Sequence, residues 1–164
     1  MDDEPDGLYS RAPELEDLVG LCRALNREGV RYLLIGGFAV ILHGFVRTTK
    51  DIDVLLDASD DNVRAVKRAL AVLTDNAVAD VAPSDLREHT VVRVADEIVV
   101  DLMASACGVT YDEALRLGVD EYRIDDVAIP LAGKRLLIRT KNTVRDSDRM
   151  DVRFLEALLQ DQDT

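Results

Sequence analysis

The sequence predicts one α+β domain, and three observations carry that prediction. Short aliphatic runs alternate with longer segments whose apolar residues recur at helical spacing. Two of the short runs, Thr90–Val94 and Glu97–Met103, flank Ala95-Asp96 and read as an antiparallel pair joined by a tight turn. A chain of 164 residues is also long enough for one domain with a substantial core, and too short for two of ordinary size.

The elements follow in order. Pro13-Glu14-Leu15-Glu16 opens a helix whose Leu15, Leu18, Val19, Cys22 and Leu25 form one buried stripe, ended by Gly29. Arg31–Ile35 is a short strand. Gly36-Gly37 turns the chain into a short helix through Phe38, Ala39, Val40, Ile41 and Leu42, stopped near Gly44. The run from Asp51 to Asp57 is a strand, after which Ser59 or Asp60 caps a helix through Val63, Val66, Leu70 and Leu73. Residues 75–86 read as an irregular connection before the antiparallel pair. Thr110-Tyr111-Asp112-Glu113 is a capping box that opens a short helix toward Leu117. Tyr122-Arg123-Ile124 and Val127-Ala128-Ile129 form a small hairpin around Asp125-Asp126, and helices over Leu131–Lys141 and Asp146–Leu159 close the chain.

Composition bounds the function. Asp2, Asp3, Glu4 and Asp6 make an acidic start unlike a secretory signal, and residues 1–10 are expected to be a disordered tail ahead of a domain over 11–160. No apolar stretch reaches the length of a membrane span. Cys22 and Cys107 lack metal-site spacing and read as reduced core thiols, which with the missing signal predicts a cytoplasmic protein. The net charge of −12 opposes broad, charge-driven binding to nucleic acid or anionic membrane. The charge is uneven, however: residues 1–17 hold seven acids and one base, whereas residues 133–153 hold seven bases and three acids. The basic stretch is a solvated helix face or a phosphate-facing surface.

The chemistry centres on Asp51 and Asp53. Side chains alternate along a strand, so the two carboxylates share one face while Ile52, Val54 and Leu56 point into the core. Adjacent like charges call for a cation between them, and hard oxygen ligands suit Mg²⁺. Asp101 lies on the polar face of a strand whose Ile98, Val100 and Leu102 face the core; if the two strands are neighbours, three carboxylates converge. Such a trio can hold two Mg²⁺ ions about 3.5–4 Å apart. Gly36-Gly37 lies between strand and helix, where backbone N–H groups can approach a phosphate, although glycine pairs there also serve simple turns. Lys141 and Arg145 are four apart and share a face on a continuous helix, free to meet triphosphate oxygens or to pair with Asp148 and Asp151. Arg47 and Lys50 bracket the carboxylates, touching substrate or offsetting negative charge. His43 reads as a packed or capping residue, and Tyr32, Tyr122 and Phe154 as core aromatics.

Gly36-Gly37-Phe38-Ala39, His43-Gly44, Arg47-Thr48-Thr49, Asp51-Ile52-Asp53 and Asp101 together resemble the nucleotidyltransferase superfamily with the DNA polymerase β-like core. The pattern is most similar to its minimal bacterial branch, which includes toxins of abortive-infection and toxin–antitoxin systems; Leu136-Leu137-Ile138, Lys141, Arg145, Asp148 and Asp151 match that branch as well. The resemblance spans residues 30–158 and implies a mixed β-sheet flanked by helices, with C-terminal helices, in which the Asp51 strand lies beside the Asp101 strand. It implies transfer of a nucleotide from a nucleoside triphosphate such as ATP to a hydroxyl of RNA or protein, with pyrophosphate released; the alternatives are a small-molecule transferase of the antibiotic-modifying sort and a catalytically silent module that keeps the fold for nucleotide or partner binding. Asp51 and Asp53 would bind Mg²⁺, Asp101 a second ion while helping to deprotonate the hydroxyl, and Gly36-Gly37 the β- and γ-phosphates. A cognate antitoxin is a partner this branch implies. In one respect the chain departs from the pattern: many members place Ser after the first glycine of the turn, whereas Phe38 follows the pair here, leaving backbone donors only.

Overall fold

The computed structural model describes residues 10–141 and 143–162. Of the expected tail, residues 1–9 lie outside the described residues, while the Ser10 hydroxyl donates to the Asp96 carbonyl. The elements are α1 (Leu15–Arg27), β1 (Tyr32–Ile35), α2 (Gly36–Leu42), β2 (Asp51–Leu56), α3 (Asp60–Leu70), a 3₁₀ turn (Ala77–Asp80), α4 (Asp85–Glu88), β3 (Val92–Ala95) and β4 (Val99–Met103). There follow β5 (Ser105–Ala106), β6 (Val109–Thr110), α5 (Tyr111–Leu117), β7 (Val119–Ile124), β8 (Val127–Ala132), α6 (Lys134–Thr140) and α7 (Asp146–Gln162). Among the described residues, no helix is long and apolar enough to cross a membrane.

The result is a mixed sheet flanked by helices, as expected. Six strands run in the order β3-β4-β2-β1-β8-β7, with β1/β8 and β2/β4 parallel and the other neighbours antiparallel. Helical starts follow local chemistry: the Ser59 hydroxyl accepts the Asn62 N–H at the head of α3, and Thr110 with Glu113 forms the capping box of α5. In α1 the stripe of Leu18, Val19, Cys22 and Leu25 is buried, while Leu15 at its first position is exposed.

Four expectations are corrected. The 122–129 hairpin is longer than expected, and β8 belongs to the central sheet because Leu131 pairs with Leu34 of β1. That pairing consumes Leu131 and Ala132, so α6 begins at Lys134. Cys107 is exposed, with a positive φ of 47°, rather than a core thiol; Cys22 is buried as expected. The 75–86 connection carries the 3₁₀ turn and α4.

Candidate functional site

The parallel register of β2 on β4 sets Asp53 directly opposite Asp101 and Asp51 opposite Val99. Ile52, Val54, Val100 and Leu102 occupy the other face and are buried, as strand alternation requires. Each of Asp51, Asp53 and Asp101 offers a carboxylate oxygen in a group whose atoms all lie within 4.8 Å of one another. Burial, with Asp51 and Asp101 beside it, pushes the Asp53 carboxyl up to about 8. Asp51 is raised too, by burial and by Asp101, against the pull of Arg93. The cluster therefore carries more negative charge than its surroundings neutralise, and its all-carboxylate donors fit a hard divalent cation such as Mg²⁺.

Gly36 is what lets Asp53 sit there. Its φ is +76°, and a Cβ at that position would lie 2.1 Å from Asp53 Oδ2 and 2.7 Å from its Cγ. A Cβ on Gly37 would meet Thr49 Oγ1 at 2.9 Å and Arg47 Nη1 at 3.2 Å. The glycine pair thus lets the start of α2 lie against Asp53 of β2 and against Thr49 and Arg47 of the loop before it, a requirement that the turn chemistry of the sequence does not disclose. Gly36→Ala is expected to cost about 1–3 kcal/mol in backbone strain alone, and to displace the Asp53 carboxylate. Gly20→Ala, mid-helix with nothing within 4 Å of the new methyl, is expected to be neutral or stabilising. Thermal denaturation with and without Mg²⁺ checks both. A Gly36→Ala protein with unchanged melting temperature and Mg²⁺ response would refute the steric argument.

Arg93 completes the acid cluster and was missed by sequence reasoning. Its Nε donates to Asp101 Oδ1 at 2.9 Å and its Nη2 to Asp101 Oδ2 at 3.0 Å, a bidentate pair; Nη2 also reaches Asp51 Oδ2 at 3.3 Å. The observed register pairs Ala95 with Val99 and Arg93 with Asp101, so Asp96, Glu97 and Ile98 form the connection rather than Ala95-Asp96. Asp96 is what lengthens it: the buried carboxylate accepts the N–H groups of Asp75, Ala77 and Glu97. Those bonds overcome its desolvation and hold its carboxyl below the usual range. A signal was present, because a turn at Ala95-Asp96 sets Arg93 across from Ile98 on the core face, whereas the observed register pairs Val94 with Val100.

The cationic wall comes from the C-terminal helices, but not as a continuous helix. Lys141 ends α6 and Arg145 precedes α7, with the chain breaking helix between them. Lys141 is buried, its Nζ 3.0 Å from Asp148 Oδ1 and 2.9 Å from Asp151 Oδ2. Against the desolvation of burial, hydrogen bonds from Thr143 and Lys141 hold the Asp148 carboxyl below its ordinary value. Arg47 reaches the same Asp151 oxygen with Nη1 at 2.6 Å, tying the loop before β2 to α7. Stacking of Phe45 on Phe154, centroids 4.7 Å apart, holds the same junction one helical turn further on. Arg145 is 74 % exposed and only 3.9 Å from Asp148. His43, which caps α2, bonds through Nε2 to the Ala132 carbonyl and is a packing residue, as expected.

A cleft of about 540 Å³ is lined by Asp51, Asp53 and Asp101 together with Gly37, Arg47, Lys141 and Arg145. Gly36, Lys50 and Asp151 are not part of that lining; Gly36 supports Asp53 instead, and Asp151 lies behind Lys141 and Arg47. A family model described as a nucleotidyltransferase of unknown function (DUF6036) matches residues 14–107, more than half of the chain. The chain belongs to this family. No curated protein matches it. The span shared with the nucleotidyltransferase family carries Gly36, Gly37, Asp51, Asp53, Arg93 and Asp101. Lys141, Arg145, Asp148 and Asp151 lie beyond it, so tertiary packing brings the cationic wall to the acids of the matched span.

Proposed function

We propose that the protein is a Mg²⁺-dependent nucleotidyltransferase that moves a nucleotide from a nucleoside triphosphate to a hydroxyl of RNA or protein. The observation that carries this reading is one cleft holding three clustered carboxylates and, beside them, Arg47, Lys141 and Arg145. Asp51, Asp53 and Asp101 would hold two Mg²⁺ ions, which when bound supply charge neutralisation for the triphosphate and its departing pyrophosphate. Arg145 has most of its guanidinium in solvent for phosphate oxygens. Lys141 donates one hydrogen bond to Asp148 and is ion-paired with Asp151, and its ammonium lines the same cleft. The Gly36-Gly37 backbone would face the β- and γ-phosphates, as the superfamily resemblance implies.

In the reaction the acceptor oxygen forms a bond to the α-phosphorus while the bond to the bridging oxygen breaks and pyrophosphate leaves. The hydroxyl proton passes to an Asp101 carboxylate oxygen. Arg93 occupies one lone pair on each Asp101 oxygen and leaves the others available, keeping the carboxylate oriented while it accepts. Catalysis rests on positioning and charge, without a covalent enzyme intermediate.

Labelled NTP incubated with total RNA, lysate protein and aminoglycosides tests this reading. Label on RNA or protein is the expected result, and label on an aminoglycoside would replace it with small-molecule modification. No transfer to any acceptor, together with no Mg²⁺-dependent NTP binding, would overturn it. The resemblance to the abortive-infection branch supports a toxin role with a cognate antitoxin. Expression in a bacterial host should then arrest growth, and unimpaired growth would remove that part of the proposal.

A further inference from the structure

Beyond Lys141 the cleft meets a second groove of about 820 Å³, and the two spaces share the Lys141 side chain. Arg139 of α6 and Arg149 and Arg153 of α7 line this groove, with Glu156 as its acid. Arg149 and Arg153 are four apart and lie on one helix face. All three arginines are exposed, and among the described residues none is within salt-bridge distance of a carboxylate, although Arg139 acts on Glu113 at longer range. Elsewhere in this acidic chain Arg11, Arg23, Arg31, Arg68 and Arg87 are each paired with a carboxylate. Three arginines without a salt bridge thus line one groove that shares Lys141 with the acid-bearing cleft, in a chain of net charge −12.

We propose that this groove binds the acceptor, and that the acceptor is a single-stranded RNA whose terminal ribose hydroxyl enters the cleft. Three such guanidiniums complement a phosphodiester backbone, and Ile138 and Val152 between them offer apolar surface to a base. A cleft of about 540 Å³ admits a strand end beside a triphosphate, not a paired duplex, and of the two acceptors in the transfer reading, RNA and protein, RNA is the one that carries phosphodiesters. The proposal narrows the nucleotidyl-transfer reading and rests on it, but binding is measured without NTP, so the two fail separately.

The test is fluorescence anisotropy of the full chain with a labelled single-stranded RNA of about a dozen nucleotides. Binding is expected to weaken with salt. Arg149→Glu and Arg153→Glu should each lower affinity about tenfold and reduce the salt slope by about one. Arg64→Glu, on the distant α3, should not change it. An unaltered Mg²⁺-induced rise in melting temperature in the double variant would show that the fold and acid cluster are intact. The proposal is overturned by three results: no RNA binding, affinity unchanged in the double variant, or equal binding of poly-glutamate or single-stranded DNA. Transfer that persists in the double variant with its RNA affinity unchanged removes this groove and leaves the transfer reading standing. RNA bound through these arginines without any transfer does the reverse.

Discussion

Asp53→Asn is expected to lower nucleotide transfer by about three orders of magnitude, the several kcal/mol that a bound metal contributes to such a transition state. The same substitution should stabilise the protein in EDTA at pH 8. In the folded chain the Asp53 carboxyl is raised from its ordinary 3.8 to about 8, by burial and by its neighbours Asp51 and Asp101. Between those values the folded state binds a proton that the unfolded chain has released. Its contribution to stability is complete below about pH 4 and is lost as pH rises through 8. Asparagine stays neutral throughout, so the variant's advantage should be largest at pH 8 and vanish near pH 4. Adding Mg²⁺ at pH 8 should raise the melting temperature of the wild type and not of the variant. Retained transfer, or an equal Mg²⁺ response in both, would remove Asp53 from the metal site.

Asp151→Ala is expected to cause the largest loss of stability of any single change at the site. Asp151 is 1 % exposed and its Oδ2 receives both Arg47 and Lys141, the latter 8 % exposed. Its Oδ1 has no hydrogen-bond partner among the described residues, so the whole carboxylate is held by those two cations. Truncation leaves Arg47 without its carboxylate and Lys141 with Asp148 alone. Breaking a buried pair from one side costs about 3–5 kcal/mol, which in a domain of this size lowers the melting temperature by about 10 °C or more. Arg145→Ala, removing an exposed guanidinium 3.9 Å from its partner, should stay within about 0.5 kcal/mol. Thermal or urea denaturation separates the two. Similar small losses for both would mean that the Lys141–Asp151–Arg47 network does not hold α7 to the site.

What could be read in advance follows from the range of the interactions involved. The capping box at Thr110, the Ser59 cap and the alternation in β2 are set by residues within one turn or pleat of one another, and each forms where expected. The antiparallel pair at 90–103 was legible as a pair, while its register was not, because the residues that pin Asp96 are the backbone of Asp75 and Ala77. The C-terminal basic stretch was legible as charge. Its division into a buried cation at Lys141, a cleft cation at Arg145 and a groove of exposed arginines depends on the break between α6 and α7 and on Asp151, none of which charge spacing reveals.

By itself, then, the sequence determined which side chains share a face: Asp51 with Asp53, and Asp101 opposite the core residues of its own strand. It also determined, through family resemblance, the type of reaction to expect. Only the tertiary structure decided that β2 and β4 are parallel neighbours in a register that sets Asp53 against Asp101. Tertiary structure also decided that Arg93 binds that acid and that Gly36 is demanded by Asp53 itself. The reason is physical: strand alternation is a property of one backbone, whereas strand order and register are selected by burial summed over the whole core.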